Sequence, residues 1–167
     1  MRHILLATLL LLACSRQSLQ ADEGHFPETA TEAAALPSNE TYTPGLGEFM
    51  LTIQQHHAKL WFAGKSGNWS LAGYELGEIS EIFEDINRWT PVWQGHPVAR
   101  LIHPMTGAAM LGLQQSITHH DKAAFRRSFD QLSGSCSTCH TATGHDDILI
   151  QRPAFPPLTN QRYRPVH

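Results

Sequence analysis

Near the end of the chain stands Cys136-Ser137-Thr138-Cys139-His140, two thiols and an imidazole at Cys-x-x-Cys-His spacing. That string is the signature of covalent c-type haem attachment. The chemistry needs two thiols that reach the two vinyl groups of a porphyrin and one imidazole that reaches its iron. On a helix, positions 136, 139 and 140 fall on one face, because three and four residues are each about one turn. The expectation is one covalent haem c, with Cys136 and Cys139 as the attachment residues and His140 as the proximal iron ligand. Two other readings stay open for a bare Cys-x-x-Cys. One is a disulfide, which an exported protein could form. The other is half of a zinc site, but such a site wants four clustered ligands and no second Cys pair follows. A thioredoxin-type redox motif would call for a βαβ setting that the sequence lacks.

The residues that could face the iron from the other side lie on an earlier segment. Leu46, Met50, Ile53, His57, Leu60 and Trp61 share one face at helical spacing. His57 is the candidate distal ligand and Met50 the alternative; His56 points off the seam. An open distal position is the third option. His103 is a weaker candidate from another segment. His119 and His120, beside Asp121, read as a solvated helix end.

Four amphipathic segments must position these groups. The first helix starts near Thr43-Pro44, with Thr as cap and Pro at the first helical position, and Gly64 and Gly67 end it. Asn68 caps a second helix whose seam is Ala72, Leu76, Ile79, Phe83 and Ile86. Glu75, Glu78, Glu81 and Asp85 are expected on its water side, and Pro91 closes it. Residues 91 to 104 carry three prolines and a glycine and read as a loop or a broken entry to the next helix. A third helix is expected from Met105 to His119, with Met110, Leu113 and Ile117 inward. A fourth starts at the cap Asp121 and carries Phe125, Phe129, Leu132, Cys136 and Cys139 or His140 on its seam, ending near Gly144. The fold class is therefore all-α: an antiparallel four-helix bundle with the haem motif on the last helix and an extended C-terminal tail.

The domain plan follows. Residues 1–13 read as a signal peptide: Arg2 and His3 precede an apolar run that is too short to span a membrane. Residues 14–42, rich in Ser, Thr, Glu, Ala and Pro, read as a flexible tether. The bundle occupies 43–145 and the tail 146–167. Leu11-Leu12-Ala13-Cys14 resembles the lipobox of bacterial lipoproteins, which implies cleavage before Cys14 and its lipidation. The expected location is periplasmic or envelope-anchored.

In small mitochondrial-type cytochromes c the motif lies near the N-terminus and a methionine ligand follows. Here it lies on the fourth helix, and no methionine follows Met110. This arrangement resembles cytochrome c′, the four-helix-bundle cytochrome with its haem motif on the last helix, over about residues 43 to 144. The tail after Gly144 is longer than that family usually carries. The stretches His57-Ala58-Lys59-Leu60-Trp61, Asn68-Trp69 and Tyr74-Glu75-Leu76 are similar to a group of small exported bacterial proteins of unassigned function.

Composition sets the outer bounds. The 167 residues carry 16% charged and 41% apolar residues and a formal net charge of -3, with no basic field to suggest nucleic acid. Eleven histidines are many for this length. The expected function is electron transfer at the cell envelope, by a carrier rather than a catalyst, to a redox partner that the sequence does not name. A gas-binding or sensing cytochrome with an open distal site is the alternative, and a non-haem envelope interaction module with a Cys136–Cys139 disulfide is another. Acylated Cys14 would make the membrane a partner, and a homodimer is compatible with the fold.

Overall fold

The computed structural model describes residues 42–166. The expected signal peptide, Cys14 and nearly all of the expected tether fall outside the described residues. Four helices of 21 residues each follow in order: α1 Leu46–Ser66, α2 Trp69–Trp89, α3 Val98–Thr118 and α4 Lys122–Ala142. Each is about 30 Å long at 1.5 Å per residue. Among the described residues there is no strand, only an isolated bridge between Trp93 and His96. Sequence neighbours α1 and α2, α2 and α3, and α3 and α4 pack closely, while α1 and α4, the remaining adjacent pair, touch less. The architecture is the expected four-helix bundle.

The caps explain the register. Asn68 accepts a hydrogen bond from the Leu71 amide at its side-chain oxygen, and Asp121 accepts from Ala123 and Ala124. Those two backbone bonds hold the Asp121 carboxyl below its usual pKa. Gly67 ends α1 in the left-handed conformation, φ 77°. Gly64, expected to help end the helix, instead lies inside it. A Cβ there would stand 2.1 Å from Phe125 Cζ. Gly64 is therefore the notch that lets the fully buried Phe125 ring meet α1, and helix propensity of about 1 kcal/mol is given up for that contact.

The core runs along Leu60, Ala63, Ala72, Ile79, Ile86, Leu113, Phe125, Phe129 and Leu132, all nearly inaccessible. Burying side chains of the Leu, Ile and Phe size contributes about 1.5–3 kcal/mol each. Trp61 lies 4.9 Å from the Phe129 ring and 6.4 Å from Phe125. This aromatic cluster joins α1 to α4, the adjacent pair whose backbones pack most sparsely.

Two further expectations are corrected, besides the start of the first helix, which lies at Leu46 with Gly45 as its cap rather than at Thr43-Pro44. The third helix begins at Val98, not Met105, so the loop is only 90–97. Pro104 lies inside α3. It costs a backbone hydrogen bond to Arg100, but Pro104 and Arg100 are both exposed, so water can satisfy the freed carbonyl. Val98 and Ile102, both buried, bind the extra turns to the core. The second correction is Glu75, placed on the water side by its charge. It is fully buried, with Oε2 2.7 Å from His56 Nδ1 and Oε1 3.9 Å from Lys59 Nζ. Glu75 lies one residue before Leu76 on the α1-facing side of α2, where the helices pack tightly enough to cover it.

The tail after α4 has no regular secondary structure, yet it is not loose. Arg152 forms a two-pronged ion pair with Asp130 of α4, both contacts 2.6 Å, and its guanidinium lies 4.7 Å from the centre of the Trp61 ring on α1. Tyr163 is buried and packs 5.6 Å from Phe62. The tail thus bridges α1 and α4, the adjacent pair with the sparsest direct packing.

Candidate functional site

All four helices, the 90–97 loop and the tail contribute to one cavity of about 460 Å³. That volume is in the range of cofactor and ligand sites. Cys136, Cys139 and His140 of α4 line it together with Met50 and His57 of α1. The principal sequence-predicted site residues, Cys136, Cys139, His140, His57 and Met50, therefore meet in one place. The rest of the lining is mostly apolar: Leu46 and Ile53, Phe83, Trp93, Val98 and Ile102, and Ile148 and Ile150 from the tail.

The loop wall has a local cause. Gln94 and Gly95 both have positive φ, 47° and 84°. The Trp93 amide donates to the His96 carbonyl and the His96 amide to the Trp93 carbonyl. Two successive left-handed residues make the tight hairpin turn that favours Gly. That turn sets Trp93 into the cavity lining.

The α4 end of the cavity is shaped by a Schellman turn. The His145 amide donates to the His140 carbonyl at 2.8 Å and the Gly144 amide to the Thr141 carbonyl at 3.2 Å, with Gly144 left-handed at φ 80°. The chain reverses there, and the Ile148 carbonyl comes back to 2.9 Å from His140 Nδ1. A carbonyl can only accept, so Nδ1 carries the proton. Nε2 keeps its lone pair and has no hydrogen-bond partner among the described residues. This is the tautomer of a histidine that binds metal through Nε2.

Burial raises both thiols. Cys136 is pushed up to about 12, by desolvation first and by the neighbouring Cys139 second, and Cys139 is raised by desolvation. Both are protonated at neutral pH, unlike the acidic thiols of redox catalysts.

His57 is buried, and desolvation lowers its pKa to about 4, so the ring is neutral at physiological pH. Its Nε2 lies 2.9 Å from Ser133 Oγ, and the Ser133 hydroxyl donates to the Phe129 carbonyl at 3.0 Å. Nε2 is then the donor and Nδ1 the free acceptor. The ring also lies 4.3 Å from the Phe129 ring, tilted by 30°. Ser133 precedes His140 by seven residues, about 10 Å along the helix. Met50, two turns before His57 and partly buried, carries no such bond.

His103 lines a separate groove between α2 and α3, with Gly73, Gly77 and Gly107. His120 stacks on Trp69 at 5.5 Å, at the end where α3 passes into α4. His145 does line the cavity, its Nδ1 3.0 Å from the Thr143 carbonyl. The residues that sequence reasoning missed are Trp93, Ile148 and Ile150. A Gln-Gly turn signal could have singled out Trp93; nothing local could have found the two tail isoleucines.

Among the described residues, no three or more His, Cys, Asp or Glu side chains are grouped to hold a metal ion. A haem brings four nitrogen donors of its own, so the protein must supply only one or two. An apolar cavity with two neutral thiols, and an imidazole presenting Nε2, fits that demand. No family model, curated protein or solved structure matches this chain.

Proposed function

We propose that this chain is an exported, single-haem c-type cytochrome that carries electrons at the cell envelope. One observation carries the reading. Cys136, Cys139 and His140 line one apolar cavity, and the Ile148 carbonyl holds His140 in the tautomer that frees Nε2. Cys136 and Cys139 would hold the haem through thioethers, and His140 would be the proximal iron ligand. The bound haem would supply an iron that takes up and releases one electron. The protein's part is to exclude water with Phe83, Trp93, Val98 and Ile102, and to set the iron's environment through axial ligand and burial. The motif's place on the last helix of a bundle is similar to cytochrome c′. The apolar leader and the Leu-Leu-Ala-Cys14 string support an envelope location with a lipid anchor.

The test is maturation in a host competent for c-type haem attachment. One added haem mass, surviving acid–acetone extraction and giving a c-type pyridine haemochrome, is expected. Cys136→Ser or Cys139→Ser should weaken attachment, and His140→Ala should keep the haem but alter its spectrum. An apoprotein two hydrogens lighter would instead mark a Cys136–Cys139 disulfide and an interaction module without haem.

A second reading, gas binding at an open iron, is favoured by the hydrogen bond that occupies His57 Nε2. The distal ligand decides between the two.

A further inference from the structure

The tail after Gly144 is not required to complete the bundle, yet it contributes Ile148 and Ile150 to the cavity wall. We infer that this tail is a strap that positions the proximal ligand: the Ile148 carbonyl, held against α4 by Ser137 and by the Arg152–Asp130 pair, orients His140 and sets the electron density it gives to iron. The inference rests on the haem reading above.

The strap is tied at successive points. The Schellman turn at Gly144 reverses the chain. Ile148 accepts from His140 Nδ1 at 2.9 Å. Two residues on, the Ile150 amide donates to Ser137 Oγ at 2.9 Å. Ser137 also donates to the Ser133 carbonyl at 3.0 Å, so its hydroxyl is fixed to α4 while it receives the tail. Two residues further, Arg152 clamps Asp130 with both nitrogens and lies over Trp61. These ties fall at 148, 150 and 152, the first two through the backbone and the third through the Arg152 side chain. His140, Ser137 and Asp130 lie in descending order along α4, so the strap runs antiparallel to the helix.

The chemistry follows from the bond at Nδ1. A carbonyl accepting from an imidazole fixes the ring's rotation and makes Nε2 a stronger donor. A stronger donor favours ferric over ferrous iron. The strap therefore lowers the potential, and freeing it raises the potential. Ser137 and Arg152 act through Ile148 and are positioning residues; neither touches the iron.

The experiment uses the full-length, haem-loaded protein, with two readouts: the midpoint potential, and the exchange rate of the His140 Nδ1 proton by paramagnetic NMR. The double variant Ser137→Ala/Arg152→Ala should exchange that proton at least tenfold faster. It should also shift the ferric-to-ferrous preference by about tenfold, which is about 59 mV upward for one electron. Arg152→Ala alone should move both readouts in the same direction by less. The reversed pair Asp130→Arg/Arg152→Asp should return them toward the wild-type values. Arg162→Ala is the control, because among the described residues its side chain bonds only within the tail, to the Pro165 carbonyl; it should leave both unchanged. Haem-loaded double variant with wild-type potential and exchange would overturn the strap, as would a control that shifts as far as Arg152→Ala. Wild-type protein that takes up no haem would instead overturn the cytochrome reading itself, a separate outcome.

Discussion

His57 Nε2 and Ser133 Oγ meet at 2.9 Å in the core and join α1 to α4. The ring is buried, and desolvation lowers its pKa from 6.5 to about 4. The unfolded chain therefore binds a proton that the folded chain refuses. Stability from this site is undiminished above the unfolded pKa, falls as pH drops below about 6.5, and levels off below about 4. The full loss is on the order of 3 kcal/mol. Measured by urea unfolding, wild type should lose that much relative to His57→Leu between pH 7 and pH 4. A stability difference that stays constant across that window would show that the ring does not titrate as buried.

If the chain carries the proposed haem, spin state decides which residue faces the distal side of its iron. If His57 gives up Ser133 and ligates, both oxidation states should be low spin and carbon monoxide should bind slowly. His57→Ala should then make the ferrous form high spin and its carbon monoxide binding fast, while Met50→Leu changes little. If Met50 is the ligand, those outcomes exchange and the potential is higher. Wild-type protein that is already high spin and binds carbon monoxide rapidly would exclude both residues and replace electron transfer by gas binding.

Glu75 makes a separate prediction about the α1–α2 interface. Its Oε2 is held by His56 while Oε1 has no hydrogen-bond partner among the described residues. Removing one partner of a buried pair leaves a stranded charge and costs about 3–5 kcal/mol; replacing the charge by an apolar side chain of similar volume is often neutral or stabilising. His56→Ala should thus lower stability by about 3 kcal/mol, near the lower end because Lys59 remains close. Glu75→Met should cost less than 1 kcal/mol or raise the melting temperature. Thermal unfolding of the two variants side by side checks the order; Glu75→Met as the worse of the two would refute it.

Cys14 gives the localisation test. One acyl chain holds a protein to a membrane only marginally, and stable anchoring takes two signals or more; a lipoprotein terminus with several chains would meet that need. Cys14→Ser should move the domain from the membrane to the soluble fraction with its haem retained. Wild-type protein recovered soluble and cut at another residue would end the lipoprotein reading.

Several features were legible before any coordinates. Asn68 and Asp121 announce helix starts because their side chains satisfy amides one turn on, a purely local contact. The seams of α1 and α4 follow from helical period, and that period alone carries Cys136, Cys139 and His140 to one face. Glu75 and Pro104 misled for the same reason: charge and proline report a local preference, and neither reports what packs above it. A carboxylate is buried when a neighbouring helix supplies His56, and a proline is tolerated inside a helix when its ring faces water.

What the residue string determines by itself is the donor set, two thiols and an imidazole at the spacing of one turn, and the four amphipathic segments that carry it. What only the tertiary structure decides is which atoms those donors present. His140 is assigned its Nε2 by a carbonyl eight residues away that returns through a left-handed Gly144. His57 has its Nε2 engaged by a hydroxyl 76 residues away. Such pairings arise from chain reversal and helix packing, whose geometry depends on contacts between residues far apart in sequence, and no local periodicity encodes them.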